Sequence, residues 1–235
     1  MGAAEELLEV TPRGVRQTSS STTFIVDLDD RAVVLKFSAP GRSVLAEARA
    51  YEAAAAHGIR VPEVLAVRAD PEAAAIQFLA GSSLWSDDRR DTENSFAWRR
   101  AGEELRSLHE IRVPGFGPLV PGTHDLMGAS DEWCPFVRFA RQEGIRKLVD
   151  SGVMDSRAGE RLESRYDEAA VELNGWTDGR LLHGDLEGGH ILVADDQYQG
   201  IIDFDQAQAG DPRWDLARVT LWDGDAAQTR YERLL

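Results

Sequence analysis

Residues 181–193 read LLHGDLEGGHILV, and residues 200–217 read GIIDFDQAQAGDPRWDLA. In the first stretch Asp185 follows an apolar run where a loop begins, and His190 follows a pair of glycines. In the second stretch Asp203 ends an apolar run. Polar groups at the ends of strands can converge without being buried unpaired. These two stretches therefore predict a site at which Asp185, His190 and Asp203 meet.

Two kinds of metal chemistry are compatible with this pattern. The first is a transition-metal hydrolase that uses His183, Asp185, His190 and Asp203, because imidazole and carboxylate groups both bind zinc. The H-x-D-x4-H spacing is loose for such a site, and no further histidine lies nearby to complete it. The second is a magnesium site for nucleotide phosphates, since magnesium takes one or two protein carboxylates with phosphate oxygens and water. A separate carboxylate then orients the attacking hydroxyl.

A distant lysine favours the magnesium interpretation. Lys36 stands in the middle of the apolar strand VVLKF, where an unpaired ammonium group would be costly. Glu47, in the helix predicted to follow, is the expected partner, and Glu52 is the alternative. A lysine held by a glutamate and directed at phosphates is the arrangement that protein kinases use.

Composition excludes several classes of protein. The 235 residues suit one large domain or two lobes, and 43% hydrophobic residues can form a sizeable core. A net charge of -15 argues against nucleic acid or an anionic membrane as a partner. A single cysteine, Cys134, excludes an intramolecular disulfide and a Cys-rich zinc site. No apolar run approaches the ~20 residues of a membrane span, and the acidic start lacks the features of a signal peptide. The expected compartment is the cytoplasm.

The pattern of elements predicts an α+β fold with two lobes. Residues 1–80 are expected to form a β-rich lobe with one inserted helix, and residues 81–235 a mainly helical lobe. A cleft between two lobes is a common ligand site. The predicted strands cover 22–28, 31–37, 61–67 and 74–80, with short strands within 181–204. The predicted helices cover 43–57, 94–110, about 131–150, 156–173, 214–222 and 229–235.

The motifs at both ends of the chain resemble one known family. HGDLEGGHILV, followed by IIDF, GDP and DLA, is similar to the signature of the aminoglycoside phosphotransferase and choline kinase superfamily, whose pattern is H-G-D-x4-N, D-[FW], G-D-P and D-L-A. Lys36, Glu47, VPEVL and the QFLAG segment at 77–81 resemble its N-terminal lobe. The resemblance covers most of the chain and is weakest between residues 111 and 175. It implies a protein-kinase-like two-lobe fold, in which residues 1–80 would form the nucleotide-binding lobe and residues 81–235 the catalytic and substrate-binding lobe.

The same resemblance implies a role for each matching residue. Asp185 would accept a hydrogen bond from the substrate hydroxyl and take its proton, and Asp203 and His190 would hold magnesium. Lys36 would contact the nucleotide phosphates and Glu47 would position it. The remaining implied positions are Ser19, Ser20 and Ser21 in a loop over the phosphates, the backbone of Gln77, Phe78 and Leu79 at the purine edge, His183 packing the catalytic loop, and Asp215 bracing it.

This chain departs from the family pattern at several positions. His190 stands where the family usually has asparagine, and imidazole is a softer donor than an amide oxygen. Phosphotransferases that modify the 2″-hydroxyl of aminoglycosides also carry histidine there, and many of them accept GTP. Asp205 is a candidate contact to the metal or a cationic substrate, and Trp133 is a candidate wall of the substrate pocket. The chain stops at Leu235, soon after D-L-A, which predicts an open pocket or a truncated form.

Together these features predict a magnesium-dependent small-molecule kinase. It would transfer the γ-phosphate of ATP or GTP to a hydroxyl of an aminoglycoside-like or other antibiotic-like alcohol, an activity associated with antibiotic resistance. The expected partner is a hydroxylated, cationic small molecule, and the oligomeric state stays open. The alternatives are a choline, homoserine or sugar-amine kinase of the same fold, and a pseudokinase that binds nucleotide without turnover.

Overall fold

The computed structural model describes residues 6–8, 11–18, 22–85, 95–121, 125–173 and 176–221. Within these ranges the chain is mixed α and β, and every pair of neighbouring strands is antiparallel. The predicted helix over 229–235 lies outside the described residues.

A five-stranded sheet forms the N-terminal part, with the strand order β1-β2-β3-β5-β4. The predicted hairpin is present as β2 and β3. The first strand lies where the sequence predicts a polar loop, because GVRQ has one apolar residue and forms a largely exposed edge. The strands are β1 (Gly14–Gln17), β2 (Thr23–Asp27), β3 (Ala32–Phe37), β4 (Val64–Ala69) and β5 (Glu72–Gln77).

Helix α1 (Val44–Ala56) packs against β4 and β5. The Ser43 side chain caps its N-terminus by accepting the backbone N–H of Ala46, as serine commonly does. The helix is rich in alanine, whose small side chains allow it to pack closely on the sheet. Tyr51 is its largest buried side chain. This packing places Glu47, in the first turn, over the sheet that carries Lys36.

The C-terminal part is mainly helical and contains two small sheets. Helix α2 is central, with Trp98, Leu105 and Leu108 fully buried. Among the described helices, none combines the length and the apolar composition needed to cross a lipid bilayer. The helices are α2 (Ser95–Leu108), α3 (Trp133–Asp150), α4 (Ser156–Leu173) and α5 (Arg213–Leu221). The strands are β6 (Ser82–Ser83), β7 (Phe116–Leu119), β8 (Gly128–Ser130), β9 (Arg180–Leu182), β10 (Ile191–Ala194), β11 (Gln197–Ile201) and β12 (Gln208–Gly210).

Four short strands of the C-terminal part, β6, β7, β8 and β12, are also absent from the sequence prediction. They have two to four residues each, and most of these are Gly, Ser, Ala, Pro or Gln, so local propensity does not mark them and tertiary pairing forms them. Strand β12 pairs with β7 on one side and β9 on the other. Strand β6, which follows the N-terminal sheet in the chain, pairs with β10.

A buried polar network links the N-terminal part to the C-terminal part. The Tyr198 hydroxyl on β11 donates to Oε2 of Glu104 on α2 at 2.6 Å, and the backbone N–H of Arg60, after α1, donates to the same oxygen at 3.2 Å. The Arg60 guanidinium donates to the Tyr198 carbonyl at 2.9 Å. Burial raises the pKa of Glu104, although these donors oppose the rise. The network therefore holds Arg60, which precedes β4, against α2 and β11.

Removing one donor from this network should lower stability. We expect Tyr198→Phe to reduce the free energy of unfolding by about 1–3 kcal/mol, because a buried acceptor loses its hydrogen bond. Urea denaturation followed by circular dichroism measures the change. Tyr166→Phe, at a position with 41% exposure, is the matched control and should unfold as the wild type does. Equal stability of Tyr198→Phe and wild type would contradict a stabilising role for the network.

Candidate active site

A cleft of about 490 Å³ lies between the five-stranded sheet and the segments around His190 and Asp203. Its walls are apolar over much of their area, and its charged groups are concentrated at one end. The apolar lining includes Ile25, Val34, Ile76, Leu192 and Ile202. The charged lining among the described residues is Lys36, Arg42, Glu47, Asp203 and Asp205, with His190 beside them.

Lys36 is a cation at this end of the cleft, and 13% of its side chain is exposed. Its Nζ lies 2.5 Å from Glu47 Oε1 and 2.9 Å from Asp203 Oδ1. Burial by itself lowers the pKa of Lys36, but the two carboxylates outweigh it and raise the pKa to about 12. Burial raises the pKa of Glu47 while the ammonium opposes the rise, and the short contact shows that the two groups form an ion pair. The alternative partner, Glu52, pairs with Arg49 on the exposed side of α1.

Asp203 is held in an unusual backbone conformation. Its φ is 67°, in the left-handed region that non-glycine residues seldom adopt. The Tyr51 hydroxyl oxygen accepts the Asp203 backbone N–H at 2.8 Å, and the Tyr51 ring packs against Phe204. Burial acts to raise the pKa of Asp203, but the Lys36 ammonium outweighs it and the pKa is lowered. Asp203 is therefore a carboxylate at neutral pH.

His190 presents one ring nitrogen to Asp203. Its Nδ1 lies 2.8 Å from the backbone carbonyl oxygen of Asp185, and only a protonated Nδ1 can donate there. In the neutral ring, Nε2 then carries the lone pair. Nε2 lies 3.5 Å from Asp203 Oδ2 and 3.8 Å from Glu187 Oε1. A lone pair facing carboxylates is repelled unless a proton or a metal cation lies between them.

His190 and Asp203 could together hold a divalent cation whose remaining coordination positions are filled by other ligands. One imidazole nitrogen and one carboxylate oxygen, from His190 and Asp203, face each other across 3.5 Å. In the part of the chain that the structure describes, no three His, Cys, Asp or Glu side chains form a complete metal cluster. Phosphate oxygens and water would supply the remaining ligands, which is the usual pattern for magnesium with nucleotides.

His183 lies in the interior beneath this site. Its side chain is fully buried; Nδ1 accepts the Asp185 backbone N–H at 3.3 Å, and Nε2 donates to the Ile202 carbonyl at 3.0 Å. Burial lowers the pKa of His183 to about 4, so the ring is neutral at pH 7. Since both nitrogens contact the protein's own backbone, His183 does not serve the transition-metal site that the hydrolase hypothesis requires.

Asp215 braces the backbone of the loop. Its Oδ1 accepts the Gly184 N–H at 2.8 Å, and its Oδ2 accepts the His183 N–H at 2.9 Å. His109 Nε2 lies 3.0 Å from the same Oδ2. Burial acts to raise the pKa of Asp215, but these donors, His109 first among them, hold it below its usual value. Nothing in the sequence spacing identifies His109, because it lies 106 residues away from Asp215, directly after α2.

Asp185 is held by two side chains that the sequence analysis missed. Gln206 Nε2 donates to Asp185 Oδ2 at 2.5 Å, and the Arg218 guanidinium contacts Asp185 Oδ1. Gly184, just before Asp185, has φ 83°, and a β-carbon there would overlap the carbonyl oxygen of Gln206. The sequence signal for Arg218 is its place one helical turn after Asp215, on the same face of α5.

The other predicted residues divide between the cleft and the interior. The backbone segment after β5 and the side chain of Asp205 line the cleft, and Asp205 pairs with Arg42. Burial and the nearby Asp203 raise the pKa of Asp205. Trp133 does not line the cleft: it is 2% exposed because its ring packs against Phe116 and Trp214. The cleft-lining residues of the predicted purine contact are Gln77, Phe78 and Leu79, and the predicted phosphate loop, Ser19, Ser20 and Ser21, lies outside the described residues.

Comparison with known proteins assigns this chain to a family. The sequence model of the phosphotransferase enzyme family matches residues 11–235. The chain belongs to the phosphotransferase enzyme family. Membership confirms the prediction of a phosphotransferase with an alcohol group as acceptor.

Solved structures confirm the protein-kinase-like fold of this phosphotransferase. A ternary complex of aminoglycoside phosphotransferase APH(4)-Ia with ADP and hygromycin B has a TM-score of 0.74 at 19% identity, covering 99% of this chain and 79% of the other. A predicted fructosamine-3-kinase from Thermobifida fusca has a TM-score of 0.69 at 22% identity, covering 99% and 83%. Macrolide 2′-phosphotransferase MphH from Brachybacterium faecium has a TM-score of 0.61 at 18% identity, covering 94% and 75%.

The buried His183 should make stability depend on pH. Because its pKa is about 4 in the folded protein and 6.5 ordinarily, the unfolded chain binds a proton between these values and the folded chain does not. Stability is therefore fully present above pH 6.5 and falls as the pH decreases towards 4, by at most about 3 kcal/mol from this group. We expect the fall to be smaller in His183→Gln, which keeps a donor for Ile202 but does not titrate. Urea unfolding at pH 7, 6, 5 and 4 measures the difference, and parallel curves for both proteins would contradict it.

Proposed function

We propose that this phosphotransferase is a small-molecule kinase that transfers the γ-phosphate of ATP to a hydroxyl of an aminoglycoside-like or other antibiotic-like alcohol. The observation that carries the proposal is the series of contacts Glu47–Lys36–Asp203–His190 at one end of an apolar cleft. The proposal includes the division into a nucleotide-binding lobe at residues 1–80 and a catalytic lobe at 81–235. It also includes a cytoplasmic location.

The cleft has both an apolar lining and charged groups, and this combination supports nucleotide binding. Its apolar walls suit a planar base, and Gln77, Phe78 and Leu79 line it, so their backbone is proposed to meet the edge of the base. Lys36 is charged at neutral pH because its pKa is about 12, so it can contact phosphate oxygens. Glu47 holds the ammonium in place. Ser19, Ser20 and Ser21 are proposed to contact the phosphates from the preceding loop.

Magnesium is the proposed metal, held by Asp203 Oδ2 and His190 Nε2. When bound, it supplies positive charge that neutralises the phosphate oxygens. Two observations support these two ligands. The Asp185 carbonyl fixes the His190 tautomer that leaves Nε2 unprotonated, and Lys36 occupies the other oxygen of Asp203.

Asp185 is the proposed base. The acceptor oxygen forms a bond to the γ-phosphorus while the bond from that phosphorus to the bridging β–γ oxygen breaks. The acceptor proton passes to Asp185, and the electron pair of the broken bond leaves with ADP. The protein's contribution is mainly to position the reacting groups and stabilise charge, as phosphoryl transfer requires.

The acceptor class rests on charge and on the related structures. APH(4)-Ia has been crystallised with hygromycin B, and other structures of this fold are a macrolide phosphotransferase and a predicted fructosamine-3-kinase. This chain carries a net charge of -15, and Asp205 lies in the cleft, so a cationic acceptor is favoured electrostatically. A panel of hygromycin B, other aminoglycosides, macrolides, fructosamines, choline and homoserine, offered with ATP or GTP, tests the proposal. Mass spectrometry detects the gain of one phosphoryl group.

Replacing Asp185 should separate chemistry from nucleotide binding. We expect Asp185→Asn to lower turnover by about 100- to 10,000-fold, because the general base is lost, while ADP affinity stays unchanged. ADP release measures turnover and calorimetry measures binding. Asp150→Asn, at an exposed position on α3, is the matched control and should keep full activity. Full turnover in Asp185→Asn would refute the assignment, and nucleotide binding without turnover of any panel compound in the wild type would favour the pseudokinase alternative.

Replacing His190 should change the preference for the metal. Imidazole favours softer divalent ions than an amide oxygen does, so His190→Asn should lower the ratio of activity with Mn²⁺ to activity with Mg²⁺. Turnover at saturating ATP with each ion gives this ratio for both proteins. His57→Asn, at an exposed position after α1, is the control. The same ratio in His190→Asn and wild type would show that His190 does not bind the metal.

A further inference from the structure

Carboxylates surround the point at which the acceptor hydroxyl would bind. Asp185 and Glu187 lie on the same loop, and the residues between Asp185 and His190 are Leu-Glu-Gly-Gly, which include no cation. The two cations that line the cleft within the described residues are Lys36 and Arg42. Both are already paired, Lys36 with Glu47 and Asp203, and Arg42 with Asp205.

Arg218 places a cation beside Asp185, near the point at which the acceptor hydroxyl would bind. Its guanidinium contacts Asp185 Oδ1, and 23% of its side chain is exposed. Electrostatic attraction between Arg218 and Glu187 also opposes the rise that burial causes in the pKa of Glu187. Helix α5 delivers this guanidinium through a rigid connection, because Asp215, one turn earlier, is bonded to the Gly184 and His183 backbone.

Phosphoryl transfer requires such a charge. When the phosphoryl group passes to a hydroxyl at Asp185, its anionic oxygens approach the carboxylates of Asp185 and Glu187. Like charges in a partly buried site raise the barrier, and an arginine directed at the developing charge lowers it. A guanidinium has five N–H donors in a planar fork, so it can contact a carboxylate and a phosphoryl oxygen at once.

We infer that Arg218 is a further active-site residue: it positions Asp185 and supplies the positive charge on the acceptor side of the transferred phosphoryl group. The inference rests on the proposed kinase function. It assigns to α5 a part in the chemistry besides the bracing by Asp215. Gln206, which donates to the other oxygen of Asp185, completes the support of this carboxylate but carries no charge.

A transition-state mimic tests the inference without knowledge of the acceptor. Tetrafluoroaluminate with ADP and Mg²⁺ imitates the phosphoryl group in transfer. We expect ADP and Mg²⁺ alone to raise the melting temperature equally in wild type, Arg218→Gln, Arg218→Lys and Arg213→Gln. Adding tetrafluoroaluminate should raise it further in wild type and in Arg213→Gln, and this second increase should be lost in Arg218→Gln. Arg213 is the matched control because it lies on the same helix and pairs with Asp211, away from Asp185.

Turnover provides the second measurement. With the acceptor found by the substrate panel, Arg218→Gln should lower kcat by about 100- to 1,000-fold, with little change in KM for ATP. Arg218→Lys should recover part of kcat because it restores the charge. Guanidinium ions added to Arg218→Ala should also raise its kcat, which would not occur if Arg218 only stabilised the fold.

The outcomes separate this inference from the proposed function. Lack of turnover by the wild type with every panel compound overturns both. If the wild type turns over, wild-type kcat in Arg218→Gln overturns the inference alone, as does a second melting increase in that variant equal to that of the wild type. Faster turnover in Arg218→Gln also overturns it, because the ion pair would then act as a lock on Asp185.

Discussion

A fully buried carboxylate on α5 fixes the loop on which the rest of the site depends. Asp215 has no contact with solvent, and an ionised group in such a place is tolerated only when donors surround it. Its two oxygens accept the backbone N–H groups of His183 and Gly184, and His109, directly after α2, contacts one of them. Gly184 has a left-handed backbone conformation, and a side chain at this position would overlap Gln206, so the loop requires glycine here. Asp185 is thereby held at a fixed position relative to α5 and α2.

A second ionic contact joins this C-terminal site to the N-terminal sheet. Lys36 belongs to β3, Glu47 to α1 and Asp203 to the segment after β11, so a single ammonium group holds three elements. Each carboxylate alone would be costly to bury, and together they keep Lys36 charged. A movement of the sheet away from the C-terminal part would break this contact. The Glu104–Tyr198–Arg60 network also joins the two parts and restricts such movement further.

The sequence predicts those features that depend on local pattern or on a recognisable motif. Helix α2 follows from an amphipathic pattern, α1 from helix-forming residues and the stop at Gly58, and the hairpin of β2 and β3 from alternation and turn residues. The approach of Lys36 to Glu47 follows from the cost of burying a lone ammonium. Strand β12 could not be predicted, because its three residues have no strand-like pattern and pair only through tertiary contacts. Gln206 and Arg218 were missed for a similar reason: their contacts with Asp185 depend on tertiary packing, of the segment between β11 and β12 for Gln206 and of α5 for Arg218.

His190 shows how the fold accommodates an unexpected residue in this family. At this position an asparagine would offer an oxygen to the proposed metal and an N–H to the loop. The imidazole has one nitrogen for each of these two contacts, since Nδ1 donates to the Asp185 carbonyl and Nε2 faces Asp203. The ring also stacks on His183, which burial keeps neutral and which therefore adds no repulsive charge beneath it.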